Sequence, residues 1–276
     1  MIPKLFAFDL DGTLLDSQKR ISLANVSALR EIDETGAKVA LASGRLGSSI
    51  EKYLPLLGID AALLTLNGAQ VFTTLKDGRR CIYSAEFDKY YANQLIGYCA
   101  DKPVALNYYY DGRLFTVKSK ENVIWTEFYY KQTGTNYNFL GDFGEIANNS
   151  PSKIVLVGDS GYLDGLEREF RSLWDEESVY ICRSWSHYLE FLSPKANKGL
   201  GLEALCAVLG INMSETAVFG DERNDIPMLK IAGLGIAMKN ASKEVKSFAK
   251  RVTERTNDED GIACEWERIA LPHLKT

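Results

Sequence analysis

Short, unbroken apolar runs that alternate with amphipathic stretches constrain this chain more than any other feature. Leu5-Phe6-Ala7-Phe8, Val39-Ala40-Leu41-Ala42 and Ala61-Ala62-Leu63-Leu64 carry no polar alternation, as a strand buried on both faces requires. Helical patterns lie between them. One runs from about Ser22 to Thr35, with Ser22 as N-cap, Leu23, Val26, Leu29 and Ile32 on one face, and Gly36 as the stop. Another spans about Leu46 to Leu57. Strands alternating with helices imply right-handed crossovers and a parallel sheet. The last third resumes the style, with a helix over Lys198 to Leu209, a strand at Ala217-Val218-Phe219, a helix over about Asp225 to Ala232 and a strand at Leu234-Gly235-Ile236-Ala237. Another helix and a short strand precede the C-terminal segment.

The middle differs. From about Ser84 to His187 aromatic residues concentrate and the strand patterns become two-sided. Val104 to Tyr110, the turn Asp111-Gly112 and Leu114 to Val117 read as a hairpin. A helix over about Glu121 to Gln132 follows, then a strand at Lys153 to Val157, a helix over Tyr162 to Trp174, and strands at Val179 to Cys182 and Tyr188 to Leu192. The prediction is an α/β chain: a doubly wound parallel-sheet core, residues 1–83 and 188–276, with an α+β domain, residues 84–187, inserted between its halves. The 276 residues suit two modest domains at about 150 residues each.

Composition excludes several classes. With 46% hydrophobic and 25% charged residues, the chain is neither disordered nor fibrous. No apolar run approaches the ~18–20 residues of a membrane helix, and acidic residues arrive too early in MIPKLFAFDLDG for a secretory leader. Thirty-two basic against 37 acidic residues leave a net charge of −5, without the basic stripe of a nucleic-acid binder. Cys81, Cys99, Cys182, Cys206 and Cys264 are odd in number and form no CxxC, and the histidines are only His187 and His273. That pattern reads as reduced thiols in a cytoplasmic protein, not as a zinc site or a disulfide framework.

The chemistry-bearing residues follow the apolar runs. Asp9-Leu10-Asp11-Gly12-Thr13 comes directly after the first. Open α/β sheets bind ligands at the carboxyl ends of their strands, and residues i and i+2 of an extended segment point the same way. Asp9 and Asp11 would then face one crevice while Leu10 turns into the core. Ser43-Gly44-Arg45 follows the second run and opens a helix, a small hydroxyl beside exposed N–H groups that can seat an anion; by itself it is also an ordinary strand–helix turn. Asn67-Gly68-Ala69 follows the third. Lys198 opens a helix in the returning half, and Gly220-Asp221-Glu222-Arg223-Asn224-Asp225 follows the next strand. Beside two carboxylates and a phosphate, Lys198 would be the compensating cation. Asp9, Asp221 and a backbone carbonyl suit Mg²⁺, which takes a few hard oxygens and keeps several waters, better than zinc or copper. Each string alone is weak; their order along one sheet edge is not.

DLDGTLL at 9–15, SGR at 43–45, LNGA at 66–69, NKGLGL at 197–202 and GDERNDIPML at 220–229 resemble the motif series of the haloacid dehalogenase-like hydrolases. The subfamily resembled is the Cof-type (IIB) phosphatases, whose large α/β cap is inserted after the third core strand. TNDEDGIA at 256–263 also resembles that subfamily's closing segment. The resemblance implies a Rossmann-like core with a cap that closes over it. It implies Asp9 as the nucleophile that takes the phosphoryl group and Asp11 as the acid for the leaving alcohol and base for water. Ser43, Gly44, Lys198 and Asn224 match the phosphate or substrate binders. Asp9, the Asp11 carbonyl and Asp221 match the Mg²⁺ ligands, with Asp225 and Asn67 in supporting places around them.

The expected function is therefore a Mg²⁺-dependent phosphatase of small phosphorylated metabolites, sugar phosphates favoured, acting as a monomer or weak homo-oligomer. Metal contact is expected to keep Asp9 charged, and Asp11 to hold enough of its proton to donate it. A sugar phosphomutase and a non-catalytic phosphometabolite-binding protein are the alternatives. The inserted domain's aromatics, among them Tyr108, Tyr109, Tyr129, Trp174 and Trp185, read mainly as core, and Lys118, Lys120 and Lys153 as solvated charges.

Overall fold

The computed structural model describes residues 2–274, with side-chain surroundings through Leu271, so His273 lies outside those described side chains. Along the chain the elements are β1 (Leu5–Asp9), α1 (Leu23–Glu34), β2 (Lys38–Ala42), α2 (Gly47–Glu51), α3 (Leu54–Leu57), β3 (Ala62–Thr65), β4 (Gln70–Phe72) and β5 (Cys81–Ser84). The middle contributes α4 (Lys89–Cys99), β6 (Ala105–Tyr110), β7 (Arg113–Val117), α5 (Val123–Thr133), β8 (Tyr137–Leu140), β9 (Lys153–Val157), α6 (Ser160–Leu173), β10 (Tyr180–Trp185) and β11 (Tyr188–Leu192). The chain closes with α7 (Lys198–Leu209), β12 (Thr216–Gly220), α8 (Ile226–Ile231), β13 (Leu234–Ala237), α9 (Lys243–Ser247), β14 (Arg251–Val252) and α10 (Gly261–Leu274). Two compact units result, residues 1–83 with 197–276, and residues 84–196.

The first unit is built on an eight-stranded sheet in the order β14-β13-β12-β1-β2-β3-β4-β5. Its pairings are parallel from β14 through β3, and β4 runs antiparallel to β3. Alternate residues of each buried strand feed opposite faces. Phe6 and Phe8 pack with Val26, Leu29, Ile32, Leu57 and Trp266 of α1, α3 and α10 on one side. Leu5 and Ala7 pack with Leu202, Leu205, Met228, Leu229 and Val245 of α7, α8 and α9 on the other. This is the doubly wound arrangement expected. Its strand order reverses between β1 and β12, where open α/β sheets form a crevice at the strand ends.

Several local expectations need correction. The helix predicted over 46–57 is split into α2 and α3, because Pro55 sits in the first turn of α3 and starts a new helix instead of continuing the old one. Ser22 does cap α1, accepting from the Asn25 N–H, but Leu23 at the first helical position is exposed. The helix expected from Asp225 opens as a 3₁₀ turn over Arg223–Asp225 before α8 begins at Ile226, with Pro227 in its first turn. β4, β5, α4 and β8 were not anticipated.

The second unit has a six-stranded sheet, β10-β11-β9-β6-β7-β8. Its boundary falls at 196/197, not at the expected 187/188. β11 is antiparallel to both β10 and β9 through a full register, so the segment 188–196 belongs with this sheet. Leu106, Tyr108, Ile154, Leu156, Leu189 and Phe191 pack beneath α4 and α6 with Leu95, Leu163, Leu166 and Phe170. Tyr108, Tyr109 and Tyr129 are core, as read from the sequence, whereas Trp185 is 44% exposed. Lys153 overturns its expectation: it is 3% exposed and lies 2.8 Å from Glu190 Oε2.

Candidate active site

The carboxyl ends of β1, β2, β3 and β12 bring their loops together in the first unit. Asp9 is the last residue of β1 and 5% exposed. Lys198, the first residue of α7, is fully buried, and its Nζ lies 2.6 Å from Asp9 Oδ1 and 2.6 Å from Asp225 Oδ1. Asn197 caps α7, accepting from the Leu200 N–H. That helix start packs hard against the loop after β3. Gly68 has φ +84°, and any Cβ there would collide with the Asn197 carbonyl, so glycine is what lets Lys198 reach the strand ends.

Asp221 follows β12 and is 8% exposed. Thr13 Oγ1 donates to its Oδ1 at 2.8 Å. Gly12, at φ +82°, backs directly onto this carboxylate, and a side chain at position 12 would drive into it. Asp225 is committed on both oxygens: Oδ1 to Lys198, Oδ2 accepting the backbone N–H groups of Asp221 at 2.9 Å and Glu222 at 3.0 Å. Carboxylate oxygens of Asp9, Asp221 and Asp225 lie within 4.8 Å of one another. Three buried acids share one buried cation, and hard oxygen donors in that number fit a divalent metal ion.

The electrostatics follow from that imbalance. Burial, then the Asp225 charge, drives Asp9 well above the usual carboxylate range, against the pull of Lys198. Asp221 is raised to about 7 by burial and then by Asp225. Burial works against the charge on Lys198, but Asp225 and Asp9 outweigh it and raise its pKa.

Asp11 is held by a different set of groups from Asp9. β1 ends at Asp9 and the chain turns at once, Leu14 N–H donating to the Asp9 carbonyl and Leu15 N–H to the Leu10 carbonyl. Leu10 is buried as expected, but the Asp11 carboxylate shares no partner with Asp9. Arg45 Nε reaches its Oδ2 at 2.7 Å, Arg45 Nη2 its Oδ1 at 2.5 Å, and Lys19 Nζ its Oδ1 at 2.6 Å. Burial pushes the Asp11 carboxyl up, yet Arg45 and Lys19 outweigh it and hold the group below its ordinary value. By the protein's own charges Asp9 favours a proton and Asp11 does not, and the expected division of roles rests on metal contact at Asp9.

The remaining predicted residues zip two loops together. Ser43 is 1% exposed, its carbonyl accepts the Asn67 N–H at 3.0 Å, and Leu66 N–H donates to the Arg45 carbonyl at 3.0 Å. These bonds hold Leu66 and Asn67 at φ +52° and +60°, a conformation that costs on the order of 1 kcal/mol or more per non-glycine residue. Gly44 runs beside Asn67 Oδ1. Asn224 Nδ2 donates to Asn67 Oδ1 at 2.9 Å, and its own buried Oδ1 has no hydrogen-bond partner among the described residues. Lys19 is a functional candidate that sequence reasoning missed. Arg45 stood inside a quoted motif with no role given to it.

The geometry can be set beside known proteins. A family model for haloacid dehalogenase-like hydrolases matches residues 6–265. The chain belongs to the haloacid dehalogenase-like hydrolases. Phosphatase YwpJ of Bacillus subtilis is 31% identical over 94% of this chain and 97% of its own length. Among solved structures, a haloacid dehalogenase-like hydrolase from Bacteroides thetaiotaomicron superposes with a TM-score of 0.86 at 29% identity, covering 97% of this chain and 99% of that one. A sugar phosphatase of haloacid dehalogenase subclass IIB superposes with a TM-score of 0.79 at 25% identity over 99% of both chains. The Cof-type, subclass IIB assignment and the phosphatase class of this hydrolase follow. No helix among the described residues is long and apolar enough to cross a membrane.

Proposed function

We propose that this hydrolase is a Mg²⁺-dependent phosphatase of small phosphorylated metabolites, sugar phosphates foremost, working through an aspartyl phosphate on Asp9. The observation that carries the reading is the buried set at the β1/β12 ends, where Lys198 spans Asp9 and Asp225 with Asp221 alongside. Lys198 occupies one oxygen of Asp9 and Thr13 one oxygen of Asp221, so Asp9 Oδ2, Asp221 Oδ2 and the Asp11 carbonyl would hold the ion. Bound there, Mg²⁺ supplies charge that offsets the repulsion between a carboxylate and a phosphate dianion.

The chain's own residues do the rest. Asp9 attacks phosphorus, the bond to the ester oxygen breaks, and Asp11 delivers a proton to that leaving oxygen. Arg45 and Lys19 stabilise the carboxylate Asp11 becomes. Water then attacks the acyl phosphate, Asp11 takes its proton, and Asp9 is restored as phosphate leaves. Lys198 keeps a fixed positive charge beside the transferred group in a site closed to water on its own side. Ser43 and Gly44 seat the phosphoryl oxygens. Asn224 presents an acceptor, which suits a hydroxyl of the substrate better than a phosphate dianion.

The test is inorganic phosphate release from a panel of phosphomonoesters, with Mg²⁺ or with EDTA, and with Asp9→Asn beside the wild type. Release that requires both Mg²⁺ and Asp9 is expected, with sugar phosphates ranked first. Release that survives Asp9→Asn, or interconversion of sugar 1- and 6-phosphates without release, overturns it.

A further inference from the structure

Asn240 stands in the exposed turn after β13, outside every motif discussed above. Its amide is nevertheless fully specified. Nδ2 donates to the Gly12 carbonyl at 2.8 Å, and Oδ1 accepts the Asn257 N–H at 3.2 Å. A backbone carbonyl can only accept and a backbone N–H can only donate, so the two ends of this amide cannot be exchanged. The same Nδ2 lies 3.5 Å from Asp221 Oδ2, the outer limit of a hydrogen bond. That oxygen is the one Thr13 leaves unengaged. Asn257 Nδ2 in turn donates to the Leu15 carbonyl at 2.9 Å, and Asp258 Oδ1 accepts the Ser17 N–H at 2.7 Å. The C-terminal segment and Asn240 therefore bracket the 12–17 loop from one side.

The Gly12 carbonyl belongs to the Gly12–Thr13 peptide, the one directly after the peptide that presents the Asp11 carbonyl, so Asn240 anchors the chain one residue past that carbonyl. We infer that Asn240 is a positioning residue for the metal: it sets the spacing between the Asp11–Gly12 backbone and the Asp221 carboxylate. The inference rests on the metal reading proposed above. Partners that orient ligands in this way are typically worth about 10- to 100-fold in metal affinity. Residues that merely brace a loop are not.

The experiment is Mn²⁺ binding to the full chain, followed by electron paramagnetic resonance of the free ion, for wild type, Asn240→Ala, Asn257→Ala and Asp221→Asn. Asn240→Ala is expected to raise the Mn²⁺ dissociation constant by about 10-fold, the lower end of the effect for such partners. Its melting temperature in EDTA should match wild type, since the residue is exposed. Asn257→Ala keeps the backbone N–H that Asn240 Oδ1 accepts and removes only the side-chain bond to the Leu15 carbonyl, so it should shift affinity by less than Asn240→Ala. Wild-type affinity in Asn240→Ala overturns the inference, as does a loss of metal-free stability with no change in affinity. Mn²⁺ binding that Asp221→Asn leaves intact fails the metal reading itself, a result distinct from either.

Discussion

Two lysines are buried among the described side chains, one in each unit, and they solve opposite problems. Lys198 is fully buried between Asp9 and Asp225, with Asp221 close by. Three acids against one lysine leave that cluster at −2 when all are ionised. Lys153 meets Glu190 one to one, Ser184 donates to the other Glu190 oxygen, and the ammonium lies 5.0 Å from the Tyr109 ring centre. The charges of that pair cancel. The first cluster is short of positive charge, a buried deficit that a bound cation would offset. Burial of a lysine therefore marks nothing by itself; the charge balance around it does.

That contrast breaks most sharply at the two lysines. Lys198→Met is expected to cut phosphate release by about 10³-fold or more, since it removes a preorganised charge from the reacting centre. Lys153→Met should leave turnover per folded molecule unchanged but cost about 3 kcal/mol in urea unfolding, the lower part of the range for orphaning a buried charge. Adding Glu190→Leu to Lys153→Met should recover most of that loss, because a neutral pair can be replaced by apolar packing. No second substitution beside Lys198→Met should restore turnover. Equal stability losses without an activity difference would erase the distinction.

A smaller effect separates the clusters by pH. Asp221 is raised to about 7, and Asp9 is raised with it, burial being the largest cause for both. A carboxyl with a raised folded pKa keeps its proton after the unfolded chain has lost it. Its stabilising contribution is whole below the ordinary carboxylate range and is lost as pH rises toward 7. A divalent cation binds the deprotonated pair, so its stabilisation grows over the same window. The gap in melting temperature between Mg²⁺ and EDTA should widen from about pH 5 to about pH 8. Asp11 works in a different window, since its lowered pKa gives stability that is lost only as pH falls below the ordinary range. A gap that stays constant with pH would place the ion away from Asp221.

The sheet and the order of the site loops were legible because each rests on a short-range rule: unbroken apolar strands, a cap at Ser22, a polar string after each strand. Contacts between distant segments were not. Lys153 read as a solvated charge because nothing near it in sequence announces Glu190, 37 residues away. β11 read as core because a five-residue apolar strand does not say which sheet it joins. Asp9 and Asp11 were read as facing one crevice from an alternation that holds only while the chain stays extended; it turns after Asp9, and that turn brings Asp11 to partners the alternation does not reveal. Arg45 and Lys19 became visible only once the turn was closed.

Lys19 offers the finest test of that closed turn. Asp16 Oδ1 accepts the N–H groups of Gln18 at 2.9 Å and Arg20 at 2.8 Å, and the turn holds Lys19 at φ +62° with its ammonium on Asp11. The Lys19 side chain is 59% exposed, so its pair with Asp11 is worth only about 0.2–1 kcal/mol, or roughly 1.4- to 5-fold in rate. Lys19→Ala lets the Asp11 pKa rise and leaves more of it protonated, so it should speed the hydrolysis of alkyl phosphates by a small factor. It should spare aryl phosphates, whose leaving oxygen needs little help from a proton. A structural weakening of the turn would slow both esters together and would remove Lys19 from the acid–base apparatus. A change confined to the alkyl ester would tie this exposed lysine to the proton that Asp11 carries, whereas Lys153 in the other unit is paired with Glu190.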